Sequence, residues 1–389
     1  MDHMMSEAER QARQEFRAFV DEYIVPFANE WDHQQIVPDT IIKRLSELGY
    51  LGGIVPVQYG GKDMDAIMWS ILCEEVSRGS ASLLSLLTVH GMVCQALIKW
   101  GTPKQKKYWL PLLAKGERIG AFALTEPNAG SDAGAGESFA EVDADGWRIT
   151  GQKRWISFGQ VANLMLVMAK VNGKMSAFLV ERGATGFSTK PIKGMLGFRS
   201  AMLADVFLEG CWIPSENLIG SVGFGLSHVV GAALDHGRFS ISWGSLGLAR
   251  AALEASLSYS RTREQFGVPL RSHQLIQELI SDMVADISAA RALCNQAAHL
   301  RKTGDPAMIM ETSVAKYFAS RIAVKATGSA VQIHGANGCS EDYPVQRYFR
   351  DAKIMEIIEG SSQMQQIIIA EQGEHALRFH KSNSIGGKA

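Results

Sequence analysis

Over the first 115 residues apolar side chains recur every three or four positions, as in Phe16, Phe19, Val20 and Tyr23, then Ile41, Leu45 and Leu48. That period lines one face of a helix. It breaks at 49–53 and 59–61 and resumes over 67–78, 80–100 and 103–115. The last segment opens with Thr102 as a helix cap and Pro103 in the first turn, where its missing N–H does no harm. Near Gly116 the pattern shortens. Apolar or alternating runs at 147–150, 164–169, 176–180 and 204–208 are separated by turn pairs such as Asp145-Gly146 and Asn172-Gly173, which predicts a compact β domain. From Leu226 long helical patterns return, broken at 267–269, 304–306 and 335–338, with Ala, Leu and Ile on their inner faces. The order predicts an α+β chain: an N-terminal α-helical domain over 1–116, a central β domain (barrel or sandwich) over 117–225, and a C-terminal four-helix bundle over 226–389.

Composition narrows the partners. With 46% hydrophobic and 20% charged residues and a net charge of -1, the chain has no broad positive field. That argues against nucleic acid and anionic membrane surfaces. Lys104, Lys106 and Lys107 suit a solvated helix face or a local acidic partner. The five cysteines (Cys73, Cys94, Cys211, Cys294 and Cys339) include no CxxC pair, and no His ladder stands at metal spacing. They read as reduced, mostly packing residues, and no metal is expected. The N-terminal residues lack a basic segment followed by an apolar one, and no apolar run is read as long enough to span a membrane, so the expectation is a cytoplasmic protein.

Four strings and one carboxyl carry the candidate chemistry. Glu359 follows Ile357-Ile358 and precedes Gly360-Ser361-Ser362-Gln363. Apolar walls raise a carboxyl pKa toward neutrality, and a neighbouring glycine admits a close substrate. The plainer alternative makes Ser361 a helix cap and Glu359 an acid near a helix start. In Phe122-Ala123-Leu124-Thr125-Glu126-Pro127-Asn128-Ala129-Gly130-Ser131, the proline and the turn residues free a hydroxyl and several N–H groups for a polar ligand, or simply form a surface turn. Gly151-Gln152-Lys153-Arg154-Trp155-Ile156-Ser157 ends a strand, and alternation would put Trp155 and Ser157 on one side. Arg263-Glu264-Gln265-Phe266-Gly267 places a guanidinium at a helix end, suited to pyrophosphate or to a protein interface. Gln332-Ile333-His334-Gly335-Ala336-Asn337-Gly338 lets backbone approach a dinucleotide without matching GxGxxG. No GxSxG, Walker or HExxH motif occurs, so redox chemistry would need a bound organic cofactor.

These strings, in this order, resemble the acyl-CoA dehydrogenase family of flavoproteins from about residue 6 to 372, with Arg350-Asp351-Ala352-Lys353 leading to Glu359 as a further match. The resemblance implies FAD-dependent α,β-dehydrogenation of an acyl thioester: a carboxylate removes the α-proton, flavin N5 accepts the β-hydride, and hydrogen bonds stabilise the enolate. By position Glu359 is the base, and Gly360 supplies an N–H to the thioester oxygen. Phe122, Leu124 and Thr125 would line the isoalloxazine on one side, with Trp155 and Ser157 on the other. Arg263, Gln265, Phe266, Gln332, Gly335, Ala336, Ser361 and Gln363 would hold the adenylate and pyrophosphate, partly across a subunit boundary. Ser131, Asp235 and Arg238 would contact pantetheine. Some relatives carry the base just before the residue matching Arg238; that position is Gly237 here, which leaves Glu359 without a rival.

The same resemblance implies an electron acceptor such as an electron-transfer flavoprotein, and a homodimer or homotetramer. The strings at 235–244 and 331–338 also look like the dehydrogenases encoded with polyketide synthases. The alternative substrate is therefore a hydroxy- or aminoacyl group on an acyl carrier protein, dehydrogenated or oxidised during extender-unit synthesis. A third reading is a carrier-binding scaffold without catalysis.

Overall fold

The computed structural model describes residues 5–385, with side chains as far as Gly373. Six helices come first: α1 (Glu7–Tyr23), α2 (Ala28–Gln34), α3 (Asp39–Glu47), α4 (Ala66–Gly79), α5 (Ala81–Trp100) and α6 (Pro103–Ala114). Their starts are written locally. Thr102 Oγ1 accepts from Gln105 N–H while Gln105 Oε1 accepts from Thr102 N–H, a capping box with Pro103 in the first turn, and Ser6 and Glu9 do the same for α1. Helix α5 corrects one expectation: it is long and apolar enough to cross a membrane. Since 89% of that apolar window is buried inside the protein, it is a core helix, and its hydropathy reflects contact on all sides.

The middle of the chain forms strands β1 (Gly120–Ala123), β2 (Phe139–Asp143), β3 (Gly146–Ile156), β4 (Leu164–Val171), β5 (Lys174–Glu181), β6 (Phe187–Pro191), β7 (Ala204–Pro214) and β8 (Leu218–Ile219). They make one mixed sheet in the order β6-β7-β3-β2-β4-β5-β8, and β1 pairs parallel with β4 from Gly120↔Leu164 to Ala123↔Val167. Val93, Leu97 and Leu110 of α5 and α6 pack on Leu164, Leu166 and Leu179 of the sheet, which fixes the sheet against the helical layer.

A π-helical turn over Gly225–Val230 leads into α7 (Gly231–Thr262). A hairpin of β9 (Glu264–Gln265) and β10 (Val268–Pro269) follows, then α8 (Gln274–Thr303), α9 (Met308–His334), α10 (Val345–Met355) and α11 (Ser362–Ile385). Helices α7 and α9 run side by side in the same direction. Arg301, at the end of α8, reaches both Asp235 and Thr312 near the two helix starts, while Tyr259 and Asn337 bond near the two ends. Inside, Glu74 of α4 accepts from Arg13 of α1, Arg250 of α7 and Arg291 of α8, which ties both helical layers together.

Candidate active site

The turn between α10 and α11 holds Glu359 in a left-handed conformation, φ 56°, followed by Gly360 at φ 87°. A glutamate in that region is strained and persists only where its surroundings fix it. Three side chains from three helices do so. Arg238 Nε on α7 donates to Glu359 O at 3.1 Å, Gln365 Nε2 on α11 donates to Glu359 O and Gly360 O at 3.2 and 3.0 Å, and Lys316 Nζ on α9 donates to Gly360 O at 2.8 Å. With the main chain pinned, the carboxylate lies against Gly237. A Cβ there would stand 2.3 Å from Glu359 Oε2, so any larger residue would have to displace the carboxylate. That oxygen is buried and has no hydrogen-bond partner. Burial raises the carboxyl to about 7, with the cations of Arg238 and Lys316 acting the other way. Ser361 Oγ accepts from Met364 N–H at 3.4 Å, so Ser361 also caps α11, as its plainer reading had it.

A second cluster joins the two strings of the β domain. Lys153, with no solvent exposure, donates to Glu126 Oε1 at 2.5 Å and to Leu124 O at 3.4 Å. Glu126 also accepts from the N–H groups of Glu137 and Ser138, while Arg154 N–H donates to Thr125 O at 2.8 Å. The Leu124-Thr125-Glu126 segment is thus fastened to β3 beside Trp155. Phe122 packs with Val89, Met92, Ala233 and Leu234, which sets this wall next to the first turn of α7 and hence near Arg238 and Glu359. The expected pairing of Trp155 with Ser157 on one strand face does not hold. Trp155 has φ 62°, the register with β7 slips between Lys153 and Ile156, and Ser157 lies in the turn beyond the strand. Strand alternation fails across a left-handed residue. Trp155 is 44% exposed, with the Arg154 guanidinium 4.5 Å over its ring.

Other expected contacts are placed differently. Both carboxylate oxygens of Asp235 accept from Arg301 at 2.7 Å, which fixes this acid near the start of α7. Ser131 is exposed in the loop before β2. The eight residues expected on the adenylate and pyrophosphate fall into two groups. Ser361 and Gln363 sit beside Glu359 at the start of α11, whereas Arg263, Gln265 and Phe266 flank the β9–β10 hairpin, and Gln332, Gly335 and Ala336 end α9. Arg263 caps the far end of α7, 25 residues from Arg238, which at 1.5 Å per residue is about 37 Å. Phe266, at φ 53°, is 96% exposed.

Sequence reasoning missed Lys316, Gln365, Lys153 and Glu126. Two signals could have found the lysines. Lys316 falls on the inward stripe of α9 with Thr312, Ala319, Ala323 and Ala330, and Lys153 follows Ile149 at even spacing on β3. A cation on a buried face needs a partner of its own. Among the described residues no group of three or more His, Cys, Asp or Glu stands close enough to hold a metal. The arrangement suits a planar apolar ring at Trp155 and a C–H acid at Glu359, and the orphaned buried oxygen of Glu359 fits a flavin-dependent dehydrogenation better than it fits a structural acid.

Comparison with known proteins agrees. Family models for the acyl-CoA dehydrogenase N-terminal, middle and C-terminal domains match residues 6–117, 121–211 and 224–373. The chain is 36% identical over 384 residues to the mitochondrial short-chain specific acyl-CoA dehydrogenase of Rattus norvegicus, covering 97% of this chain and 92% of that protein. The butyryl-CoA dehydrogenase of Megasphaera elsdenii superposes with a TM-score of 0.91 at 32% identity, covering 96% of this chain and 99% of that one. FkbI, solved as a protein for biosynthesis of the methoxymalonyl extender unit of the polyketide Fk520, superposes at 0.85 with 29% identity, covering 94% and 99%.

Proposed function

From the premise that the chain belongs to the acyl-CoA dehydrogenase family, and so is a flavin-dependent oxidoreductase of the CH–CH bond in acyl thioesters, we propose that Glu359 is its base and FAD its flavin. The observation that carries this is the solvent-shielded, unpartnered Oε2 of Glu359, held against Gly237 by a pinned turn. A carboxyl near pH 7 is ionised in a useful fraction of molecules and far more basic than an exposed one, as removal of a proton from carbon requires. The same peptide link serves twice. Its carbonyl, Glu359 O, accepts from Arg238 and Gln365, which strengthens the Gly360 N–H as a donor to the enolate oxygen.

The flavin, when bound, supplies the two-electron acceptor for the departing β-hydrogen. Phe122, Leu124 and Thr125 on one side, and Trp155 with Ser157 on the other, would hold its ring, and the Glu126–Lys153 pair keeps the two segments together. Ser361 and Gln363 would meet the phosphates from this subunit. Arg263, Gln265, Phe266, Gln332, Gly335 and Ala336 stand too far away to join them in one chain, so they would reach the dinucleotide of a second copy, as in a homodimer or homotetramer. Ser131, Asp235 and Arg238 would meet pantetheine, with Asp235 held in place by Arg301. An electron-transfer flavoprotein is the proposed acceptor. The test is turnover of acyl-CoA thioesters with an artificial acceptor: Glu359→Gln should keep its flavin and lose roughly 10²- to 10⁴-fold in kcat. Undiminished turnover would refute the assignment.

A second reading, favoured by the likeness to FkbI, is a carrier-protein thioester bearing a hydroxy- or aminoacyl group, oxidised with release of peroxide or electrons. Flavin bleaching with paired CoA and carrier-protein thioesters, read alongside peroxide yield, separates the two.

A further inference from the structure

We propose that Lys316 is a positioning residue for Glu359, holding the Gly360 carbonyl and setting a fixed cation beside the carboxylate so that the base stays aimed at Gly237. The proposal rests on the assignment of Glu359 as base. Lys316 is wholly buried on α9, among Thr312, Ala319, Ala323 and other small residues that leave room for its stem. Its ammonium donates to Gly360 O at 2.8 Å, and that carbonyl also accepts from Gln365. A neutral carbonyl does not compensate a buried charge. The charged groups that face it are Glu359 and Glu356 of the turn and Arg238 of α7. Burial lowers Lys316 to about 8, with Glu359 pulling it upward and Arg238 pushing it down. The two groups therefore titrate as a pair. While Glu359 is ionised it compensates Lys316, and Lys316 in turn favours the ionised base. When Glu359 takes a proton from substrate that compensation ends, so the lysine also favours return of the proton to solvent after turnover.

Two variants separate the hydrogen bond from the charge. Lys316→Gln keeps a donor for Gly360 O without the cation, and Lys316→Met keeps neither. Removing the cation raises the pKa of Glu359, so in both flavin-loaded variants the acid limb of the kcat/KM profile should move to higher pH, with roughly a tenfold loss below it. Lys316→Met should lose kcat on the plateau as well, more than it changes KM, because the turn loses one of the three side chains that pin it. A limb that stays in place in folded, flavin-loaded Lys316→Gln would overturn the proposal, since a purely structural lysine would change stability and leave the profile still. Glu359→Gln in parallel keeps the two claims apart. If it remains active the base is misassigned, and if it is inactive while the limb of the lysine variants stays put, only the role of Lys316 fails.

Discussion

Burial and geometry act together at Glu359. Its carboxyl is raised to about 7 by desolvation, so the ionised form gains ground only as the pH passes through that value. We therefore expect kcat/KM to rise through pH 7 and to be lost below it. The linked effect on folding has the opposite direction: a carboxyl raised in the folded state favours folding below its ordinary range, and that contribution disappears as the pH rises through about 7. Gly237→Ala tests the geometry, because the added methyl would collide with Oε2 and push the Glu359 carboxylate aside. The expected result is a roughly 100-fold lower kcat with unchanged flavin content, and wild-type kcat would show that the carboxylate does not lie there. At this scale the sequence was partly readable. Glu359 with its glycine, and the missing acid at 237, could be read from the resemblance. The left-handed backbone of Trp155 could not, since nothing in its own residue type favours that conformation, and strand alternation therefore does not carry from Trp155 to Ser157.

Among the elements, the buried pair on β3 and the preceding loop fastens the wall proposed to hold the flavin. Lys153→Met would leave Glu126 with backbone donors alone in a site without solvent, and we expect a loss of about 3 kcal/mol in urea unfolding together with weaker flavin retention. If stability and flavin content both remain at wild-type values, the pair does not fasten the loop. Glu126 is held below the usual carboxylate range by Lys153 against the effect of burial, so its share of stability is present at neutral pH and lost on acidification. Element boundaries that rest on local chemistry were legible, such as Thr102 and Pro103 opening α6. Residues whose meaning lies in a distant partner were not. Asp235 is paired with Arg301, 66 residues further on, and nothing local to Asp235 announces that partner.

For the whole molecule, the length of α7 separates Glu359 from the Arg263–Phe266 hairpin, and the dinucleotide site is proposed to close with a second copy. Co-expression of an Arg263→Ala chain with a Glu359→Gln chain tests this. Mixed dimers should regain activity absent from either parent, because one of their two sites draws an intact base from one chain and an intact arginine from the other; no complementation would mean that each chain builds its site alone. The order of helical, β and helical segments was visible in the change of period. The depth of α5 was not, because hydropathy alone does not say whether a helix is surrounded by protein or by lipid. The central claim is the base, and it is tested most directly by anaerobic single-turnover bleaching of the flavin with a saturating acyl thioester, from about pH 5 to about 9. The prediction is a wild-type rate that climbs through pH 7, and a Glu359→Gln protein that keeps its flavin yet bleaches at least roughly 100-fold more slowly at every pH. Bleaching of Glu359→Gln at the wild-type rate would contradict it.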